Sequence, residues 1–183
     1  MEEFKESLAR YFEFRDLGAV KNYLGMAVKV EKNEVRLSQT VFIDARLKKF
    51  GMDNAKPVTT PLPVDAYSRL EDAKEGTSEA YPIREVVGSL IYLMNGTRPD
   101  ISFAVSFLAR YVDKRSDEVW TQLKRVLRYL KGTRELYLPL QCKGQKDMVD
   151  FGLYTDADWA GDGSDRKSVT GVLLDVDGAW IFW

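Results

Sequence analysis

The sequence predicts an α+β fold in which a mainly helical middle region lies between two β-rich ends. Three observations favour this class. Apolar residues recur at helical spacing between residues 83 and 132. Alternating β-branched and polar residues flank a Lys32-Asn33 turn, which is typical of a β-hairpin. An Asp177-Gly178 pair, a strong hairpin signal, separates two short apolar runs near the end of the chain.

Two helices and one β-hairpin are predicted in the first 51 residues. An amphipathic helix opens the chain and is formed around Phe4, Leu8, Tyr11 and Phe12. It begins so near the first residue that we expect the chain to be cut from something longer. Strands at 23–30 and 34–37 are expected to form the first hairpin. A second helix runs from about Thr40 to Phe50 and ends at Gly51.

Residues 53–82 are predicted to be a long loop that crosses the surface. The segment shows no periodicity and holds five residues that interrupt regular structure: Pro57, Pro61, Pro63, Gly76 and Pro82. We expect it to be the least ordered part of the chain.

Three helices are predicted next, at 83–95, at 99–112 and from Ser116 to Gly132. Ser116 is the expected N-cap of the third helix, because a serine hydroxyl can accept a hydrogen bond from a free amide of the first turn. One face of this third helix is apolar, through Val119, Trp120, Leu123, Val126, Leu127 and Leu130. Four cations fall mostly away from that face, at Lys124, Arg125, Arg128 and Lys131.

The tail is predicted to form three strands, at 151–156, 169–174 and 179–183, with a turn at 161–165 between the first two. The chain stops in the sequence WIFW. An edge strand with so many bulky apolar residues invites association with other chains, so we expect this end also to be cut and self-association to be possible.

Composition excludes several kinds of site. The 183 residues include no histidine and one cysteine, Cys142, so no Ser-His-Asp or Cys-His triad, structural zinc site or internal disulfide can form within the chain. The low cysteine content favours an intracellular setting, in cytoplasm or nucleus, over secretion. The sequence offers no run near the ~20 apolar residues that a membrane helix needs, and no membrane partner is expected.

Charge is segregated along the chain although the net charge is −1. Residues 114–146 hold nine basic and three acidic side chains, whereas residues 147–183 hold two basic and eight acidic ones. Two units with different partners would give this pattern, and so would chance in solvated faces.

Seven motifs in order resemble copia-type retrotransposon Pol polyproteins: FRDLGAVKNYLGMAV, VRLSQTVFID, KPVTTPLP, VVGSLIYL, TRPDISFAV, LKRVLRYLKGT and YTDADWAGDGSDRKSVTG. The resemblance covers nearly the whole chain. Small departures are Val41-Phe42, where the family usually has a polar residue and Tyr, and Met94-Asn95-Gly96 before Thr97. The resemblance implies the distal part of a reverse transcriptase followed by the beginning of an RNase H domain.

The same resemblance implies three units. Residues 1–38 would be the end of the palm, with a primer-grip-like hairpin at Tyr23, Leu24, Gly25 and Met26. Residues 39–140 would be a mainly helical thumb and connection, with the loop at 53–82. Residues 147–183 would be a truncated RNase H-like three-strand sheet. The implied partner is an RNA/DNA primer-template.

Asp156 is the candidate metal ligand. The resemblance implies that it is the first RNase H carboxylate, and Mg²⁺ is the cofactor expected for the intact family. By spacing alone, Asp156 and Asp158 would project toward one face at the end of a strand, and carboxylate oxygens are the ligands that Mg²⁺ prefers. A turn-rich strand with solvated carboxylates is the alternative interpretation. Asp158 and Asp162 are expected to be turn or capping groups.

The basic helix also has two interpretations. Lys124, Arg125, Arg128 and Lys131 would contact phosphates, or they would simply be solvated. Trp120 and Tyr129 are expected to be core residues rather than stacking platforms, and Cys142 and Met26 to be packing residues.

We expect the chain to be catalytically incomplete. It lacks the family's Tyr-x-Asp-Asp hairpin, and one carboxylate cannot hold the two ions of an RNase H site. The predicted function is a fragment of a Pol polyprotein, an RNA-directed DNA polymerase with RNase H, that would help to grip primer-template in the intact protein. The alternatives are a domesticated nucleic-acid-binding module without catalysis and a protein-interaction fragment.

Overall fold

The computed structural model describes residues 2–74, 81–141, 148–159, 166 and 168–183, and its α+β class confirms the prediction. Six α-helices, two 3-10 helices (Pro99–Ile101 and Val112–Lys114) and seven strands lie in these ranges, so the single helix predicted at 99–112 is an α-helix only at its centre. The helices are α1 (Glu2–Ala9), α2 (Thr40–Lys49), α3 (Ala66–Glu71), α4 (Ile83–Gly96), α5 (Ser102–Ala109) and α6 (Asp117–Gly132). The strands are β1 (Asn22–Tyr23), β2 (Met26–Val30), β3 (Glu34–Ser38), β4 (Leu138–Gln141), β5 (Phe151–Ala157), β6 (Thr170–Val176) and β7 (Ala179–Phe182).

The core lies among the helices. α6 contacts α2, α3, α4 and α5, and every residue of its predicted apolar face is buried except Trp120, which is half-buried. The amide of Val119 donates to Ser116 Oγ at 3.2 Å, which confirms the predicted N-cap. By contrast, a helix opens the chain as predicted, but α1 ends at Ala9, so Tyr11 and Phe12 lie beyond it. Phe4, Tyr11 and Phe12 are exposed.

The prediction of a loop throughout residues 53–82 is wrong for Ala66–Glu71. These residues form α3, and Ala66 and Leu70 of this helix are buried in the core. A helix of six residues has too few apolar positions to show a period, so packing against the core rather than sequence pattern identifies it. Gly76 lies outside the described residues.

The first sheet has the order β1-β2-β3-β4 and is antiparallel throughout. The hairpin around residues 31–33 is confirmed, with Val28 opposite Leu37. The single strand predicted at 23–30 is wrong, because a turn at Leu24 and Gly25 divides it into β1 and β2. β4 was not predicted. It pairs with β3, so the ends of the two units predicted at 1–38 and 39–140 share one sheet.

The second sheet is an antiparallel meander, β5-β6-β7, as the tail pattern predicts. Asp177 and Gly178 both have positive φ, +53° and +82°, which a tight hairpin turn requires. Trp183 ties the sheet to the helices, since its indole N–H donates to the Met94 carbonyl oxygen at 2.6 Å. The turn predicted at 161–165 and Cys142 lie outside the described residues. None of the described helices has the length and apolar character needed to cross a membrane.

Candidate nucleic-acid interface

The turn between β1 and β2 holds the residues of the predicted primer-grip-like hairpin. Leu24 and Gly25 have φ of +48° and +79°, so the two central residues are both left-handed, as in a type I′ turn. The side chains of Tyr23 and Leu24 are 60% and 71% exposed. Met26, predicted to be a packing residue, is half-buried. The turn therefore presents an aromatic and an aliphatic side chain to solvent.

Tyr92, on α4, contacts the backbone of this turn. Its hydroxyl donates to the Leu24 carbonyl oxygen at 2.8 Å. A Cβ at Gly25 would overlap the same hydroxyl oxygen, so the position combines a positive φ with a close approach. Sequence reasoning missed Tyr92, whose only signal was its place in the motif VVGSLIYL.

The four cations of α6 are half-buried rather than arranged as an open stripe. Three of them donate to the loop that follows α2. Arg125 Nη2 lies 2.8 Å from Thr60 Oγ1, Arg128 Nε lies 2.6 Å from the Lys56 carbonyl oxygen, and Lys131 Nζ lies 2.9 Å from the Ala55 carbonyl oxygen. The ammonium of Lys124 lies 5.8 Å from the centre of the Trp120 ring. The cations thus fasten the loop to α6.

Close backbone contact accompanies these hydrogen bonds. A Cβ at Gly132 would lie 3.0 Å from the Pro57 Cβ, which is tighter than an ordinary van der Waals contact. Residues of the motifs KPVTTPLP and LKGT therefore touch, although about 75 residues separate them in the chain.

A buried ion pair lies where α4 approaches the end of α6. Arg98 is 1% exposed, and its Nε and Nη2 donate to the two carboxylate oxygens of Asp100 at 2.9 and 2.7 Å. Its Nη1 and Nη2 also donate to the carbonyl and hydroxyl oxygens of Thr133 at 3.2 and 2.6 Å. Tyr129 donates its hydroxyl to Asp100 at 2.9 Å. The motifs TRPD and LKGT are joined in this network.

Gln39 extends the polar contacts toward the first sheet. It is 2% exposed, its Oε1 accepts from the Thr97 hydroxyl at 2.9 Å, and its Nε2 donates to the Tyr92 carbonyl oxygen at 3.3 Å. A Cβ at Gly96 would lie 2.6 Å from Gln39 Oε1, so this glycine makes room for the amide. The Gln39 and Tyr92 contacts therefore connect α4 to the segment between β3 and α2.

Asp100 titrates below its usual range. Burial raises the pKa of its carboxyl, but the hydrogen bonds and positive charge of Arg98, helped by the Tyr129 hydroxyl, outweigh burial and hold the pKa below normal. Burial, reinforced by the hydrogen bond to Asp100, raises the pKa of Tyr129. Asp100 is therefore ionised, and Tyr129 protonated, at neutral pH.

This depressed pKa predicts acid sensitivity. A carboxyl with a lower pKa in the folded state contributes stability above its unfolded pKa of about 3.9, and that stability is lost as pH falls through the folded pKa. We expect Asp100→Asn to lower the free energy of unfolding at pH 7, and the difference from wild type to shrink toward pH 3. Urea titrations at pH 7, 5 and 3 measure it. A difference that stays constant with pH would contradict the assignment.

Asp156 lies at the end of β5 and is exposed. Its Oδ1 accepts from the amide of Ala157 at 2.9 Å. Asp158 Oδ1 accepts from the amide of Val169 at 2.5 Å, so this carboxylate bridges the ends of β5 and β6, as expected for a turn group. Asp162 lies outside the described residues. In the part of the chain that the structure describes, no three His, Cys, Asp or Glu side chains gather as a metal site would require.

Comparison with known proteins gives a family and several relatives. The family "Reverse transcriptase (RNA-dependent DNA polymerase)" matches residues 1–64. The chain is 38% identical over 190 residues to the "Retrovirus-related Pol polyprotein from transposon TNT 1-94" of Nicotiana tabacum, covering 99% of this chain and 14% of that protein. It is 36% identical over 180 residues to the polyprotein from transposon RE2 of Arabidopsis thaliana, covering 97% and 12%.

A shorter relative covers more of its own length. The chain is 37% identical over 166 residues to an "Uncharacterized mitochondrial protein" of Arabidopsis thaliana, covering 90% of this chain and 66% of that protein. No solved structure matches the chain. The chain thus spans a small part of the polyproteins it matches and about two thirds of this shorter relative.

Proposed function

Because the chain belongs to the copia-type retrovirus-related Pol polyproteins, we propose that it supplies part of the surface that holds an RNA/DNA primer-template in a reverse transcriptase. The observation that carries this proposal is the turn at Leu24 and Gly25, which exposes Tyr23 and Leu24 while its backbone is fixed to α4. Aromatic and apolar side chains of this kind pack against bases and sugars without selecting a sequence.

The positive charge of α6 supports the proposal at a second place. The loop oxygens that bind Arg125, Arg128 and Lys131 belong to carbonyl and hydroxyl groups, which accept hydrogen bonds without neutralising the charge. Among the described residues, these three and Lys124 have no carboxylate within ion-pair distance. A phosphate backbone is attracted by cations that form no ion pair, although the charge of Arg125 also helps to lower the pKa of the Asp65 carboxyl.

The division into units is part of the proposal. We assign residues 1–38 to the end of the palm, residues 39–140 to thumb and connection, and residues 147–183 to an RNase H-like sheet. The pairing of β4 with β3 supports a close association of the first two units.

Reverse transcriptases generally use divalent metal ions, and Mg²⁺ is the ion we propose for the intact polyprotein. The described residues of this chain do not fit such a site, because the carboxylates around Asp156 do not gather and Asp158 is bound to Val169. For this chain we propose binding without turnover. Asp156 is proposed as one ligand within a larger site of the intact protein.

Salt-dependent binding to an RNA/DNA hybrid is the expected result for the purified chain. Mobility shifts from about 50 to 200 mM salt should show a logarithmic affinity that falls linearly with the logarithm of salt concentration. Lys124→Gln should reduce the slope by about 1, since one phosphate contact is lost. Lys48→Gln makes the same change at an exposed lysine of α2, outside the proposed interface, and as the control it should leave the slope unchanged.

Absence of binding at 50 mM salt would contradict the proposal. Primer extension and hybrid cleavage with Mg²⁺ or Mn²⁺ on the same samples test binding without turnover, and activity abolished by Asp156→Asn would show that part wrong.

Light scattering decides the alternative of self-association through the second sheet, which the exposure of Phe151 and Leu153 on β5 favours. A monomer at all concentrations would exclude that alternative.

A further inference from the structure

We propose that Tyr92 is the positioning residue of the Leu24–Gly25 turn and that its hydroxyl sets the placement of the side chains that contact nucleic acid. The inference rests on the proposed function and adds a residue to it. Neither Tyr92 nor α4 belongs to the hairpin itself, so this role comes from a contact across 68 residues of sequence.

The strands around the turn are too short to fix it. β1 has two residues, both exposed, and it pairs with β2 through Asn22 with Ala27 and Tyr23 with Met26. One further backbone hydrogen bond, from the Val28 amide to the Lys21 carbonyl oxygen at 2.8 Å, joins the two arms. Leu24 also occupies a left-handed conformation that non-glycine residues disfavour. Although β2 also pairs with β3, β1 is a two-residue strand at the edge of the sheet. Strand pairing this short is marginally stable by itself in water, so a contact from outside the sheet helps to hold the turn in one conformation.

Tyr92 makes that contact in two ways at once. Its hydroxyl donates to the Leu24 carbonyl oxygen at 2.8 Å, which ties down the backbone at the first central residue. The same oxygen occupies the space where a Cβ of residue 25 would lie, so it abuts the second central residue as well. The hydroxyl therefore sits against both residues that define the turn.

The ring of Tyr92 is itself held in place. It packs against Phe42 of α2, with ring centroids 4.6 Å apart and an interplanar angle of 56°. Its backbone carbonyl accepts from the buried amide of Gln39 at 3.3 Å. On the same helix, Leu90 and Leu93 are fully buried in the core. Because α4 is anchored in the core, the Tyr92 hydroxyl holds the exposed turn at a fixed place relative to the core.

Tyr92→Phe removes the hydroxyl and keeps the ring on Phe42. We expect amide hydrogen exchange at residues 23–27 to become about fivefold faster, and affinity for an RNA/DNA hybrid to fall by a similar factor, as loss of one hydrogen bond implies. The global unfolding transition should change little. Tyr67→Phe is the matched control, since the Tyr67 ring packs on Phe107 away from the turn, and both readouts should be unchanged.

Gly25→Ala provides a second variant that leaves Tyr92 intact. Its added methyl group must displace either the turn or the Tyr92 side chain, so the same faster exchange and weaker binding are expected. Unchanged exchange in Tyr92→Phe overturns the inference. Faster exchange with unchanged hybrid affinity also overturns it, because the contact would then be merely structural.

The two proposals fail in different ways. If the wild-type chain does not bind the hybrid, the proposed function is wrong. In that case the inferred effect on nucleic-acid binding falls with the proposed function, and the exchange comparison tests only whether the Tyr92 hydroxyl holds the turn, which unchanged exchange would contradict. If the wild type binds and Tyr92→Phe matches it in both measurements, the proposed function stands and the inference fails.

Discussion

Replacing Arg98 by alanine is expected to lower the free energy of unfolding by about 3–5 kcal/mol, because it leaves the charge of Asp100 without its partner in a largely buried site. The side chains of the pair are 1% and 29% exposed. The substitution also removes both donors to Thr133, so the end of α6 loses its connection to the segment after α4. Urea titration monitored by circular dichroism measures the change.

A surface ion pair provides the matched control for Arg98. Arg84 contacts Asp113 at 2.7 Å, the same distance as between Arg98 and Asp100. The side chains of Arg84 and Asp113, however, are 73% and 86% exposed. Solvent screens exposed pairs, so Arg84→Ala is expected to cost less than about 1 kcal/mol. Equal losses for the two substitutions would show that burial of the Arg98 network does not matter to stability.

Truncation of Leu123 to alanine is expected to cost about 2–5 kcal/mol, since it removes buried methyl groups and leaves a cavity. Leu123 lies on α6, is 0% exposed and belongs to the core cluster shared by the helices. Chemical denaturation gives the change in unfolding free energy.

Leu17→Ala is the control for Leu123→Ala, because it removes the same leucine side-chain atoms at a position that is 83% exposed. It should change stability by less than about 0.5 kcal/mol, as surface substitutions usually do. A large loss at Leu17, or none at Leu123, would mean that the helical cluster is not the main source of stability.

Sequence patterns predicted most of the regular structure correctly, for a local reason. The limits of α6 follow from Ser116 and Gly132, and its buried face follows from the spacing of its apolar residues. The Asp177-Gly178 turn follows from a conformation that those residues adopt readily. Periods and caps are properties of neighbouring residues, so they can be recognised without knowledge of the rest of the chain.

The predictions that failed were those in which distant contacts decide. The turn at Leu24 was missed because a leucine at positive φ is unfavourable on its own, and Tyr92 on α4 contributes the missing contact. β4 was missed because its four residues, which include a proline, carry little strand signal until β3 offers a partner. α3 was missed because it is short and becomes recognisable only by burial of Leu70.

For the candidate site too, the sequence predicted some features and missed those that depend on distant contacts. Sequence alone identified the family and named Tyr23, Leu24 and the cations of α6 as candidates for nucleic-acid contact, but it did not predict the turn that exposes Tyr23 and Leu24. It gave two interpretations for those cations, and neither included the hydrogen bonds to the loop at Ala55, Lys56 and Thr60. Nor did it assign a role to Arg98, although this residue lies in TRPDISFAV, one of the seven motifs that carry the resemblance.

The sequence by itself determined the α+β class, the family, and the limits and buried face of α6, because these depend on local propensity and on the order of motifs. The tertiary structure alone decided which motifs meet. Arg98 reaches Thr133, Gly132 touches Pro57, and Tyr92 fixes Leu24 across separations that no local pattern encodes. The physical reason is that buried polar groups need partners and close-packed backbones need space, and only the folded chain brings either together.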